Sequence, residues 1–502
     1  MPALLYWGYN LLRSSAISLC LLLVLFYTIR RLFYPPAALH HLPCVPILPL
    51  LLSYARKESD DIRIKNLILP YALSKGEGIV LVYAIGMWVV HILDIKVIKD
   101  VAEDLGNWPK SALPPDMLFV RLVGDSNVVI SNGETWKKHS TILQRALNQN
   151  LPIEQFTILC HKLFKKMGEG GVLKWDDLTM KFALDAVGTS VLGYDFDAIE
   201  NDRSPFLEQY VRVMEGIASP LHLLWPRLEA LFPRYELIHR IDALVRHFQE
   251  ILEYKQVNKG NDLLTYMLEE PSLTQKEYRD NMQVTRAIYI SYRVAFFIAG
   301  HDTTAGAMAS LVYYLAKYPE YQEEARREAL EALGEEEPNF ANLAKMPFVN
   351  ACIKEALRIN SPVANTAPRT SRVGSTVKTL TGKTYYIPAD TTALINLISI
   401  HANASHWDDV DTFNPDRFIN DNQAKGDATT WIPFSRGPRQ CPARNFAMYE
   451  LRTVAALLLQ NWEWTLPSGS PHFIGVKNSF SPFALSSPKD LHINFMKRSY
   501  HV

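Results

Sequence analysis

A mainly α-helical fold with small β-sheets (α+β), preceded by one transmembrane helix, is what three features of the sequence predict. Helical periodicity dominates residues 136–333 and returns over 445–460. Strand-like patterning is confined to residues 78–94 and 369–396. An almost uncharged apolar run occupies residues 3–29. By length the 502 residues would make about three ordinary domains. No fixed-period repeat or low-complexity tract divides them, which favours one large mixed domain.

Composition narrows the function. With 48% hydrophobic and 21% charged residues the chain buries a large core. Lys+Arg and Asp+Glu both number 52, so the net charge excludes a protein that must neutralise many nucleic-acid phosphates. The five cysteines are odd in number, scattered and free of Cys-x-x-Cys pairs, which disfavours a disulfide framework or structural zinc and points to a reducing compartment.

The elements follow in order. Between residues 3 and 29 the only charge is Arg13, and 16–29 is dense enough in apolar side chains to span a bilayer. A cleaved signal peptide expects positive charge before the apolar run, whereas Arg30 and Arg31 follow it. They predict an uncleaved single-pass anchor over 1–34 with the rest of the chain cytosolic. The sequon Asn403-Ala404-Ser405 is therefore expected to stay unglycosylated. Pro35, Pro36, Pro43, Pro46 and Pro49 make 35–50 a stiff linker, leaving 51–502 as the globular domain. Gly86 splits 78–94 into a strand pair, and a helix follows over 95–105. Loops are expected at 168–171, 201–205 and 258–261, and a turn at 381–383.

Chemistry concentrates near the C-terminus, in Phe434-Ser435-Arg436-Gly437-Pro438-Arg439-Gln440-Cys441-Pro442-Ala443. Cys441 stands at a helix start, where unpaired N–H groups stabilise a thiolate, the form that ligates metal. Gly437 permits backbone geometry closed to other residues, and Arg439 reaches for an anion. The segment resembles the haem-ligand loop of the cytochrome P-450 family, Phe-x-x-Gly-x-Arg-x-Cys-x-Gly, departing only at Ala443. The resemblance makes Cys441 the axial thiolate of haem iron and Arg439 a propionate partner, with Phe434 and Gly437 shaping the loop.

Three further motifs add to the resemblance. A helix over 285–318, closed by Pro319, carries Ala299-Gly300-His301-Asp302-Thr303-Thr304. Ala299 and Gly300 leave room, and Thr303 can bond back to the Ala299 carbonyl and bend the helix. This is similar to the family's oxygen-binding groove, which implies proton delivery by Asp302 and Thr303. Glu355 and Arg358 stand one helical turn apart, and Phe413-Asn414-Pro415-Asp416-Arg417-Phe418 follows. The resemblance implies a structural Glu355–Arg358–Arg417 network on the proximal side. Trp136-Lys137-Lys138-His139-Ser140 departs from the family's Trp-x-x-x-Arg, because Ser140 cannot supply charge. Trp136 and His139 then offer hydrogen bonds, while Arg369 matches another propionate-directed arginine.

The implied function is a haem-thiolate monooxygenase that inserts one oxygen atom from dioxygen into a hydrophobic small molecule. No dinucleotide fingerprint is present, so electrons come from NADPH through a separate reductase, with Lys137, Lys138 and Arg436 as candidate contacts. By analogy the pocket draws on 113–130, 204–234, Phe296, Phe297, 363–366 and 480–483, and 220–226 is a candidate to dip into the bilayer. Anchor and motifs look like fungal microsomal members, which implies the endoplasmic reticulum membrane and secondary-metabolite biosynthesis. Two alternatives compete. A reductase-independent haem-thiolate isomerase or dehydratase is disfavoured by the retained Asp302-Thr303 pair. A non-enzymatic, membrane-anchored haem-binding protein is disfavoured by motifs on both haem faces.

Overall fold

The structure is a computed structural model that describes residues 16–498 except 21, 25, 28, 31–32, 125–126, 150, 202–203, 261, 263–264, 266–281, 420–428 and 482–484. Helices dominate: α1 (Ile47–Ala55), α2 (Ile95–Glu103), α3 (Gly133–Gln149), α4 (Ile153–Met167), α5 (Trp175–Val187), α6 (Pro205–Ile217), α7 (Tyr235–Val257), α8 (Met282–Lys317), α9 (Pro319–Leu333), α10 (Pro347–Ile359) and α11 (Arg444–Asn461). Strands are β1 (Ile79–Ala84), β2 (Met87–Ile92), β3 (Gly170–Lys174), β4 (Arg369–Thr370), β5 (Ser375–Lys378), β6 (Thr384–Ile387), β7 (Thr392–Ile395), β8 (Trp462–Thr465) and β9 (His492–Lys497). They form sheets ordered β1-β2-β7-β4, β3-β9-β8 and β5-β6.

Local chemistry explains the boundaries. Asp94 ends the first hairpin and caps α2, its carboxylate accepting from the Lys96 and Val97 amides. Pro319 opens α9 at its first turn, where a missing N–H is harmless, and so separates it from α8. Three strands escaped the sequence reading. The expected loop at 168–171 runs into β3, whose paired glycines disguise it, and β8 starts directly from the end of α11. β9 pairs with nearby β8 and with β3, which lies more than 300 residues earlier in the chain, a pairing that no local pattern announces.

The proline-dense stretch does not hang free. Val45 donates to Leu81 O at 2.9 Å, the Leu81 amide donates to Pro43 O at 2.7 Å, and Leu39, Leu42 and Val45 are buried against the sheet. Among the described residues no helix is long and apolar enough to cross a membrane, and much of the expected anchor lies outside them. The side chains of Leu22, Leu23, Val24 and Phe26 are exposed. Asn403 is buried, its Oδ1 accepting from the amide and hydroxyl of Ser405 at 2.9 Å.

The buried residues form two cores. One surrounds the four-stranded sheet, and the larger one packs α4, α5, α7, α9, α10 and α11 about the central helix, α8. Phe297 anchors the latter, with ring centroids of Tyr210, Phe206 and Phe248 at 5.0, 5.3 and 5.3 Å. Such aromatic contacts add about 0.5–1.5 kcal/mol each beyond area burial.

The proximal network is present. Arg358 makes a two-pronged pair with Glu355 at 2.7 Å on both prongs, both side chains wholly buried, and donates to the carbonyls of His401 and Val410 at 2.9 Å. Arg417 joins Glu355 at 3.3 Å, and the Asn414 amide donates to the same carboxylate at 3.0 Å. Every prong is occupied, which is the condition for burying such charges. Arg358→Ala should therefore cost about 3–5 kcal/mol by leaving the Glu355 charge buried and short of its main partner. Thermal unfolding checks this, and an unchanged melting temperature would contradict it.

Candidate active site

The Cys441 loop is pinned before it reaches the sulfur. Trp431 Nε1 donates to Lys354 O at 3.0 Å, and the Ile432 amide donates to His401 Nε2 at 3.0 Å, which ties the loop to the middle of α10 and to the short helix Leu397–His401. Ser435 and Gly437 both take left-handed backbone (φ 62° and 76°) and reverse the chain. A Cβ on Gly437 would stand 3.0 Å from the Ala102 carbonyl of α2, so the position requires glycine. The Cys441 amide then donates to Phe434 O at 2.9 Å and closes the loop. Ala443 has φ −93°, which any L-residue adopts, so its departure from the expected glycine carries no backbone strain.

Cys441 precedes α11 instead of opening it. Burial pushes its thiol up, and the Ala443 N–H and Arg444 charge oppose that only in part. The depression expected from a helix terminus is thus outweighed, and it is coordination to a cationic metal that would ionise the sulfur.

Cations gather beside the loop. Arg439 lies over the Trp136 ring at 4.5 Å and donates to Val129 O at 3.1 Å. Arg369 is buried and donates to Trp108 O at 2.8 Å, while its Nε has no hydrogen-bond partner. Lys110 pairs with Arg369 through an isolated β-bridge and donates to Ala367 O at 2.9 Å. Burial, then Arg369 and Arg439, hold Lys110 well below the usual lysine range, and burial pulls Arg369 to about 10. The arrangement calls for anionic groups. Trp136 serves it by stacking under Arg439, and His139 is buried on the same helix, α3.

The described side chains of the central helix are mostly buried. From Phe297 to Ala316 only Ala299, Gly300 and Thr303 escape burial. Thr303 Oγ1 donates to Ala299 O at 2.5 Å, as the sequence predicts. Gly300 also serves the packing of helices. A Cβ there would meet Val187 Cγ2 at 2.9 Å, so its smallness admits α5 as well as a groove. Ala299 and Thr303 line a cavity of about 350 Å³ together with Met117, Val123, Val363 and Leu485. Asp302 faces elsewhere. Its carboxylate accepts from Tyr210 OH at 2.7 Å and lies 3.2 Å from His301 Nδ1, beside a second, more polar cavity of about 670 Å³. Burial, then the Asp302 charge, hold the Tyr210 hydroxyl protonated.

Residues 49–492 match the sequence profile of the cytochrome P-450 family. The chain belongs to that family. Similar proteins include cytochrome P-450 4F11 of Homo sapiens, 28% identical over 72% of this chain and 73% of that protein. Leukotriene-B4 omega-hydroxylase 3 of Mus musculus is 26% identical over 74% and 76%. The heme domain of cytochrome P-450DA shares the fold with a TM-score of 0.75 at 21% identity, covering 92% of this chain and 97% of that one.

Cytochromes P-450 are haem-dependent oxidoreductases, and this chain's residues fit the group: a loop presenting one cysteine, a groove on the central helix, and an orphaned Arg369 Nε beside Lys110 and Arg439 for propionate oxygens. Sequence reasoning missed Lys110, whose bridge partner Arg369 stands far along the chain, and Tyr210, whose hydroxyl meets Asp302 across helices. It also misplaced Phe297, which faces the aromatic core while Ile298 and Ala299 face the cavity. The side chains of Phe296 and Phe483 lie outside the described residues. Of 204–234 only Leu223 reaches the main cavity, which draws instead on Tyr54, Ile64, Ile68 and Val82. In the full-length holoprotein, Cys441→Ser should abolish the thiolate-type Soret band of the reduced carbon monoxide complex, since a neutral hydroxyl cannot replace a soft anionic ligand. Survival of that band would remove Cys441 from the ligand position.

Proposed function

We propose that this chain is a membrane-anchored haem-thiolate monooxygenase, held by Cys441 on the haem iron, that oxygenates a hydrophobic small molecule with electrons from NADPH through a separate reductase. The observation that carries the reading is the break in burial along residues 297–316 of the central helix, where Ala299 and Thr303 face a mostly apolar cavity. When bound, haem supplies dioxygen binding and O–O cleavage, favoured by its thiolate ligand.

The chain's own groups do the rest. Lys110, Arg369 and Arg439 would hold the propionates. Aliphatic walls exclude water and take up the substrate through apolar contact. The Thr303 proton is committed to the Ala299 carbonyl, so its oxygen lone pairs face the cavity and can order a water there. Tyr210 holds the Asp302 carboxylate by a 2.7 Å hydrogen bond at the border with the polar cavity. Protons entering there reach Thr303 after a turn of the Asp302 side chain.

Location at the endoplasmic reticulum is supported by the apolar N-terminal run and by exposed Leu48, Leu52 and Leu221, which stand on elements that both pack against β1. The stretch 220–226 is seated on the hairpin, Pro226 Cδ lying 2.8 Å from where a Gly86 Cβ would be. For the reductase, Lys137 and Arg436 are candidate contacts, each within ion-pair distance of an acid, Glu134 and Glu103. Secondary-metabolite biosynthesis is the pathway class we favour, from the resemblance to fungal microsomal members.

Thr303→Ala tests the proton role. Haem content and substrate binding should persist, while product formed per NADPH falls by roughly tenfold and hydrogen peroxide release rises. Unchanged coupling would leave Thr303 as a packing residue, because alanine suits a helix.

A further inference from the structure

The main cavity is mostly apolar, and its sheet side holds two buried polar atoms that no protein group satisfies. His91 lies on β2 opposite Val80 of β1 and beside Leu394 of β7, so it shares a sheet face with Val82 and Ala84, both of which line the cavity. Only 4% of its surface is exposed. Its tautomer follows from its neighbours. Asn396 Oδ1 accepts from the Ser399 amide at 2.9 Å, which turns the Asn396 amide nitrogen toward His91 Nδ1 at 3.5 Å. His91 Nδ1 is then the acceptor, and Nε2 carries the proton. That Nε2 has no partner. Across the bridge from Asn396 stands Asn365, also lining the cavity, whose buried Oδ1 likewise has no partner.

An orphaned donor and an orphaned acceptor on one apolar wall are complementary to a hydroxyl, which accepts one hydrogen bond and gives another. Resting on the reading above that this cavity takes the substrate, we propose that His91 and Asn365 anchor an uncharged hydroxyl group of an otherwise apolar substrate and so set which carbon faces the Thr303 groove.

The same wall is unsuited to a carboxylate. Arg63, on the short helix Asp60–Arg63, is the cation that lines the cavity, and its fork is already used: it pairs with Asp60, donates to Ser53 Oγ at 3.1 Å and Glu58 O at 2.7 Å, and lies 3.9 Å from the Tyr54 ring centroid. Burial, reinforced by Arg63, pulls the His91 imidazole down to about 4, so His91 stays neutral at physiological pH. A carboxylate entering here would meet a neutral donor and no available positive charge, and would shed its hydration uncompensated.

The test titrates full-length holoenzyme with dodecanol, dodecane and dodecanoate, following the substrate-induced Soret shift. Dodecanol should bind the wild type at least about tenfold tighter than dodecanoate. His91→Phe and Asn365→Leu should each weaken dodecanol about tenfold while leaving dodecane within about twofold, and His91→Gln, which keeps a donor, should recover most of the loss. A normal carbon monoxide band in each variant shows that fold and haem site persist, so this result is separable from failure of the monooxygenase reading itself. Dodecanoate preferred over dodecanol, equal alcohol affinity in wild type and both apolar variants, or no shift with any probe in spectrally normal enzyme would each overturn the proposal.

Discussion

Like charges packed together are the constraint on which the site depends. Lys110 and Arg369 meet across a β-bridge at the sheet edge, and Arg439 reaches the same wall from the Cys441 loop. Unit charges a few Å apart repel by on the order of 2–4 kcal/mol at an effective protein dielectric near 20. The cost falls when an anion sits among them, and a group with two carboxylates would supply that charge. The wall is not local in sequence, because its members come from the segment after α2, from β4 and from the loop before α11. Bringing them together requires the sheet, the hairpin and the loop to be in register at once.

That register is enforced by rigid parts on either side. The loop cannot shift, because Gly437 rests against α2 and Trp431 and Ile432 are bonded to the neighbourhood of α10. That neighbourhood is in turn fixed by the saturated Glu355–Arg358–Arg417 network, which ties α10 to carbonyls 43 to 54 residues further on. On the other side α8 is held by Gly300 against α5 and by the rings around Phe297. The groove at Ala299 and Thr303 faces space because everything around it is packed.

What the sequence revealed and what it hid divide by range. Cys441, Thr303 and the Glu355–Arg358 pair were legible because each lies in a short motif whose spacing carries its geometry: one turn for Glu355 and Arg358, four residues for Thr303 and Ala299. The helices at 282–317 and 444–461 were legible from periodicity and from Pro319. Lys110, Tyr210 and His91 were not, since each becomes significant only through a partner on a distant element. Gly300 was read for the groove alone because its contact with Val187 depends on helix packing. Phe297 was assigned to the pocket because both faces of an apolar helix look alike until its rotation is fixed by neighbours.

The measurement that bears most directly on the account follows the oxygen atom. Full-length holoenzyme, NADPH and a microsomal reductase are supplied with isotopically heavy dioxygen and an apolar substrate, and the product is weighed by mass spectrometry. The account predicts one heavy oxygen atom in each product molecule, none from solvent, and product formation that depends on both reductase and NADPH. A product without added oxygen, or formed equally well without the reductase, would contradict it and identify a haem-thiolate isomerase or dehydratase instead.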